Sequence, residues 1–130
     1  MKRTAETTLA IFFSLIIIFH LLVITSVIPS DIVWGSRLSS QDQLILFESI
    51  SIVLNVVFLI VIFIRMGVLK MNVSKKLING FLWAMMVLFL LNTLGNLASE
   101  SSFEKLAFTP VTLILSICLL ISLLSKKENE

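Results

Sequence analysis

Four long apolar stretches dominate this sequence, at approximately residues 8–28, 42–65, 76–98 and 106–125. Each is long enough to cross the hydrocarbon core of a bilayer, which takes about 20 mostly apolar residues in an α-helix. A helix also satisfies its own backbone hydrogen bonds, for which lipid offers no other partner. The sequence therefore predicts an all-α membrane protein, in which residues 1–130 form a single integral membrane domain. We expect four transmembrane helices in an up-down antiparallel bundle.

Composition distinguishes this chain from a soluble helical bundle. Hydrophobic residues make up 58% of the sequence and charged residues 14%, whereas soluble domains average about 45–50% and about 25%. A soluble bundle would carry charge on the outer face of each helix, but residues 9–24 are apolar apart from one serine and one histidine. The net charge of +2 is too small to indicate a nucleic-acid surface, so we expect no nucleic-acid partner.

The basic residues are unevenly distributed between the two ends of the predicted bundle. Of the 10 lysines and arginines, only Arg37 and Lys105 fall at one end. The others lie at the N-terminus, in the loop between the second and third helices, and in the C-terminal tail. Short loops rich in lysine and arginine stay in the cytoplasm, so both termini are expected there. The short loops are typical of a multi-pass protein of the bacterial cytoplasmic membrane.

Polar residues within the apolar stretches are the candidates for a functional site, because they are costly to place in lipid. In the second stretch, Glu48, Ser51 and Asn55 have the spacing of residues on one helical face. In the third stretch, Asn92 and Asn96 also share a face. Interface exposure does not account for Asn55, which lies near the predicted midplane. These positions therefore form the core of the predicted site.

The antiparallel threading places these polar groups in the half of the bilayer away from the cytoplasm. His20 lies about 12 Å below the outer end of the first helix, at 1.5 Å per residue, and Thr109 and Thr112 lie near the outer end of the fourth. Trp34 and Arg37 belong to the first outer loop, where an amphipathic ring favours the interface, and we expect them at the edge of the site. The expected ligand-binding cluster consists of Glu48, Asn55, Asn92, Asn96, His20 and Ser51.

The same residues also have interpretations without a ligand. Glu48 can pair with Arg37 near the interface, or it can be a buried carboxylate that binds a cation or carries a proton. Intramembrane asparagines commonly form hydrogen bonds between helices. A core histidine such as His20 can be satisfied by Asn92 or Glu48. Alternatively, His20 could carry a proton, because histidine is the residue type whose side chain ordinarily gains or loses a proton closest to neutral pH.

We predict no catalytic residue, no cofactor and no metal site. The H-E-x-x-H, G-x-S-x-G and glycine-rich phosphate-binding patterns are missing from the sequence. His20 and Glu48 alone provide too few strong ligands for a metal, and the single cysteine, Cys118, has no partner for a disulfide within the chain. The sequence therefore favours a protein that is not an enzyme.

The beginning of the fourth helix has two interpretations. Thr109 and Pro110 are a favourable N-cap and first helical residue, which suggests that a short interfacial helix at about 102–108 precedes the span. Alternatively, one continuous helix is kinked at Pro110. We favour the continuous helix, because a span beginning at Pro110 would cover only about 24 Å.

Three classes of function are compatible with this sequence. Our main expectation is an accessory or regulatory component of a larger membrane complex, in which the polar residues hold helices together. The alternative is a binding or enzyme-like module that receives a lipid, quinone or other amphiphile in a polar pocket in the outer half of the bundle. The third is a small transporter that works as a homo-oligomer.

Reporter fusions test the expected orientation. Alkaline phosphatase, which is active only outside the cytoplasm, is expected to be inactive when fused after residue 70 or 125 and active when fused after residue 30 or 102, because the positive loops remain inside. A green fluorescent protein should give the opposite pattern at the same positions. Active phosphatase after residue 70 would contradict this orientation.

Overall fold

The computed structural model describes residues 1–34 and 38–125, and within these segments all regular structure is helical. The helices are α1 (Lys2–Ile24), α2 (Gln41–Met66), α3 (Lys75–Leu97) and α4 (Thr109–Leu124), with a 3-10 turn at Ser30–Ile32 and a π-helical segment at Glu104–Phe108. Over the described residues, four helices are long and apolar enough to cross a membrane, the fourth running over Glu104–Leu124. The predicted all-α fold is confirmed.

The first helix begins and ends earlier than its apolar stretch. It starts at Lys2 and stops at Ile24, so that a further turn and a half precedes the expected start at residue 8. The reason is packing, because Ala5 and Glu6 in this early segment are buried against the other helices. The segment after Ile24 turns away from the helix axis at Ser26, whose φ is 61°.

The other helix ends have local causes that the sequence encodes. Ser40 caps α2 by accepting a hydrogen bond from the Gln43 backbone N–H at 3.2 Å, and Ser74 caps α3 in the same way. At the end of α2, Gly67 adopts a φ of 75°, a left-handed conformation that glycine reaches without a Cβ clash. These ends fix the length of α2 and the position of the loop that follows it.

The helices pack around one core, with α1 against α2 and α4, and α3 against α4, whereas α2 and α3 contact each other only weakly. Phe13, Phe58 and Phe89 come from α1, α2 and α3, and their ring centroids are 5.7 to 5.9 Å apart. Aromatic pairs at this distance add stability beyond the area they bury. Among the described residues, this layer fills the middle of an up-down antiparallel bundle. The buried core consists of Leu9, Phe13, Phe58, Val61, Ile62, Ile78, Leu82, Met85, Phe89, Leu115 and Leu119.

The fourth span is one continuous helix, and over the described residues no separate interfacial helix precedes it. Its first part is a π-helical turn in which the backbone N–H of Thr109 bonds to the carbonyl of Glu104, five residues earlier. Pro110 has no N–H to donate, so one backbone hydrogen bond of the helix is missing at this residue. The wider π-helical turn lies directly before it. Such π-turns within α-helices occur frequently near functional sites.

Candidate functional site

Glu48 lies at the centre of a polar cluster at the end of the bundle away from both termini, which is the end that the sequence predicts to face away from the cytoplasm. Its side chain is 0% exposed, yet both carboxylate oxygens have partners. Trp34 Nε1 donates to Oε1 over 2.6 Å, and Nδ1 of His20 lies 2.6 Å from Oε2. A carboxylate can be buried in an apolar environment only when its oxygens are satisfied in this way. We call His20, Trp34 and Glu48 the outer cluster.

The outer cluster fixes the orientation of the His20 imidazole. When Glu48 is ionised its carboxylate only accepts hydrogen bonds, and in that state Nδ1 carries the hydrogen and donates to Glu48. The opposite ring nitrogen, Nε2, makes no hydrogen bond to residues 1–34 or 38–125. The His20 side chain is 17% exposed at the bundle surface. The geometry therefore resembles a histidine held by a carboxylate, with Nε2 available to an outside group.

Trp34 reaches Glu48 from a strained backbone. Its φ is 57°, in the left-handed region, which costs about 1–2 kcal/mol for a residue with a Cβ. The indole ring also packs on Phe47, with ring centroids 5.2 Å apart. Beneath it, Val23, Val33 and Leu44 form a second, smaller buried cluster. Strain of this kind persists where surrounding contacts determine it, and it is common at binding sites.

A cavity lies beside the outer cluster on the loop side. Its volume is about 290 Å³, and its lining includes Ser30, Asp31 and Gln41 at the polar rim and Leu44 at its apolar side. Leu44 precedes Glu48 by one helical turn of α2, which is about 6 Å along the axis. The cavity therefore lies about one helical turn from Glu48, and none of its described lining residues belongs to the outer cluster.

The asparagines of α3 lie outside the outer cluster. Asn92 is exposed on the outer surface of the bundle. Asn96 is half-buried, and its Nδ2 donates to Thr112 Oγ1 of α4 over 3.4 Å. Thr93 Oγ1 also donates to Thr112 Oγ1, at 2.9 Å. Asn96 thus contributes to the contact between α3 and α4, as interhelical hydrogen bonds commonly do.

The polar residues of α2 below Glu48 are also separate from it. Asn55 is buried two turns further along the helix, and its Nδ2 donates to the Ser51 carbonyl over 2.8 Å. Its Oδ1 has no hydrogen-bond donor among the described residues. Arg37, expected at the edge of the site, lies outside the described residues. Of the predicted site, the structure therefore brings together His20, Glu48 and Trp34.

A second polar cluster, at the opposite end of the bundle, was missed by the sequence analysis. Arg65 Nε lies 3.4 Å from Glu6 Oε1, and the same guanidinium donates to Asn79 Oδ1 and to the Ser122 carbonyl, at 3.2 and 2.8 Å. Ser122 Oγ donates to Glu6 Oε1 at 2.8 Å. One arginine of α2 thereby contacts all three other helices. We call Glu6, Arg65, Asn79 and Ser122 the inner cluster.

The sequence does contain a signal for the inner cluster. Glu6 has the spacing of Leu9 and Phe13, so it lies on the buried face of α1. Glu6 precedes the apolar stretch, and Arg65 was grouped with the basic residues of the loop between the second and third helices. Neither residue was therefore predicted to be part of a buried cluster. Lys2 Nζ, 3.9 Å from Glu6 Oε1, extends the cluster towards the surface.

The fold and these two clusters define a small helical membrane-protein bundle with a polar group of contacts at each end. The comparisons give no closer assignment. No protein-family model matches the chain, and the searches of curated proteins and of solved structures found no match either.

Replacing Arg65 tests the role of the inner cluster. Arg65→Met is expected to lower the free energy of unfolding by about 3–5 kcal/mol, because it leaves the buried Glu6 carboxylate without its cation. Glu6→Gln combined with Arg65→Met should recover part of this loss. Unfolding by sodium dodecyl sulphate in mixed micelles, followed by circular dichroism, measures the difference.

The matched control for that experiment is Lys70→Met, which removes an exposed positive charge from the adjoining loop. Its effect should stay within about 0.5 kcal/mol of the parent protein. An Arg65→Met protein as stable as this control would show that the inner cluster does not hold the helices together.

Proposed function

We propose that this protein is a membrane-embedded binding module whose outer cluster holds the polar head of an amphiphile. The observation that supports it is the available Nε2 of His20, on a ring fixed by the buried Glu48. The ligand would be a lipid, a quinone or another molecule with a hydroxyl or carbonyl head and an apolar tail. The tail would remain in the surrounding lipid.

The energetics of the outer cluster support binding over simple helix adhesion. Burial of a carboxylate inside a membrane-spanning bundle costs free energy, and the left-handed backbone conformation of Trp34 adds to that cost. A cluster that served only adhesion would gain most by using both ring nitrogens of His20. Here one nitrogen is anchored and the other has no described partner, which is the arrangement expected of a binding group.

The chemistry of His20 restricts the ligand class. A neutral imidazole with its hydrogen on Nδ1 accepts a hydrogen bond at Nε2, and a protonated imidazole donates one there. The site can thus bind a hydroxyl group in one state and a carbonyl or phosphate oxygen in the other. The hydroxyl groups of quinols or lipids can donate to the neutral imidazole, and the carbonyl groups of quinones can accept from the protonated one.

The proposed setting is the bacterial cytoplasmic membrane, with both termini in the cytoplasm. The support for it is the excess of lysine and arginine at the end of the bundle that holds the inner cluster. The outer cluster would then receive its ligand from the outer leaflet. Transport by a homo-oligomer has less support, because Leu9, Phe13 and Leu82 close the described centre of each protomer.

Native mass spectrometry of protein extracted gently from its own membrane tests the binding function. A small molecule is expected to accompany the parent protein and to fall by about tenfold or more in His20→Leu, because a hydrogen bond to a group that can be charged is lost. Glu48→Gln should also reduce it, since the ring loses its fixed orientation. Circular dichroism verifies that each variant is folded.

Asn92→Ala is the matched control, because Asn92 is an intramembrane polar residue at the same end but outside the outer cluster. It should retain the small molecule. A parent protein without any bound molecule would argue against the proposal, as would equal losses in His20→Leu and Asn92→Ala.

An accessory role in a larger complex has one observation of its own. Asn92 is exposed on α3, within the span and close to its outer end, where a polar side chain facing lipid is uncommon. A helix of a partner protein, or of a second copy, would satisfy its amide. In the same experiment this role predicts a co-extracted protein that is lost in Asn92→Ala and kept in His20→Leu.

A further inference from the structure

A shallow groove runs along the exposed surface of α3 near its N-terminus. Its volume is about 550 Å³, and Gly80 and Ala84 are part of its apolar lining together with Leu77 and Phe81. A Cβ built on Gly80 meets no atom within 4 Å, which shows that the space above this glycine is open. The groove thus offers an apolar channel between side chains on the face that lipid contacts.

The two ends of this groove differ in polarity. Ser74 and Lys76 line one end, and from Lys76 to Ala84 the helix rises about 12 Å. This length corresponds to part of one leaflet rather than to a full span. A polar head at Lys76 with an apolar chain along Gly80 and Ala84 would therefore match the groove.

The surroundings of the polar end are strongly positive. Residues 66–76 contain Lys70, Lys75 and Lys76 and no acidic residue. All three lysines are exposed, and none forms an ion pair within the part of the chain that the structure describes. Their charge is therefore available to an anion, and each lysine near an anionic lipid surface contributes about 1 kcal/mol, a factor of about five in affinity.

We propose that the groove on α3 binds an anionic phospholipid, with its phosphate at Lys76 and one acyl chain along Gly80 and Ala84. Charge complementarity selects this occupant over a helix of another protein. The groove is also too short for a helix, because the bulky Val87 and Leu91 follow Ala84 on the exposed surface. This site is independent of the outer cluster, which lies at the opposite end of the bundle.

Lipid competition tests the groove directly. The delipidated protein is exposed to an equimolar mixture of phosphatidylglycerol and phosphatidylcholine, and retained lipid is counted by native mass spectrometry. The parent protein is expected to retain phosphatidylglycerol at least about fivefold over phosphatidylcholine. Gly80→Leu, whose Cβ has no atom within 4 Å, places a bulky side chain in the groove and should remove this preference, and Lys76→Gln should lower it about fivefold.

Two matched variants control for the general effects of these substitutions. Gly95→Leu places the same side chain on another exposed glycine of α3 with no atom within 4 Å, and Lys105→Gln removes an exposed lysine outside the groove. Both should keep the preference, and so should His20→Leu, which separates this site from the proposed ligand site. Equal retention of the two lipids by the parent protein, or an equal effect of Gly95→Leu and Gly80→Leu, would overturn the proposal.

Discussion

Charged and polar side chains within membrane-spanning helices must find partners inside the protein, because lipid provides none. In this bundle the requirement is met at two places along the seam between α1 and α2. Glu6, Phe13 and His20 follow one another at intervals of seven residues on one face of α1. Glu6 contacts Arg65 at one end, Phe13 contacts Phe58 in the middle, and His20 contacts Glu48 at the other end. This sequence of contacts sets both the register and the rotation of the two helices.

The two polar clusters satisfy that requirement in different ways. In the inner cluster, Arg65 donates hydrogen bonds to Asn79 and to the Ser122 carbonyl and forms an ion pair with Glu6, which also accepts a hydrogen bond from Ser122 Oγ. The inner cluster therefore joins the ends of all four helices. In the outer cluster, the two carboxylate oxygens of Glu48 bind His20 and Trp34, and Nε2 of His20 takes no part in these hydrogen bonds. The inner contacts therefore account for cohesion of the bundle, while the outer contacts position a side chain.

Much of the fold follows from the sequence because the length of an apolar stretch is fixed by the bilayer. The contact between His20 and Glu48 was one of the expected alternatives, since both residues fall in the same half of adjacent helices. The position of Asn92 was harder to predict, because α3 is apolar on all sides and its rotation depends on which large residues face the core. The buried face of α3 carries Ile78, Leu82, Met85, Phe89 and Thr93.

The hydrogen-bond pattern of Trp34 illustrates what sequence spacing cannot provide. The indole was expected at the membrane–water interface, where Trp is common, but its Nε1 points to Glu48 because the loop takes a left-handed turn at this residue. A left-handed conformation at a bulky residue has no sequence signal. Site geometry that depends on such a turn emerges only from the three-dimensional structure.

The aromatic layer between the clusters allows them to act separately. Glu6 and His20 are 14 residues apart on α1, which corresponds to about 21 Å along the helix axis. Groups separated by more than about 10 Å without shared partners contribute additively to stability, and Phe13, Phe58 and Phe89 fill the space between them. A substitution in the outer cluster, such as Glu48→Gln, is therefore expected to leave the contacts of Arg65 with the other three helices in place.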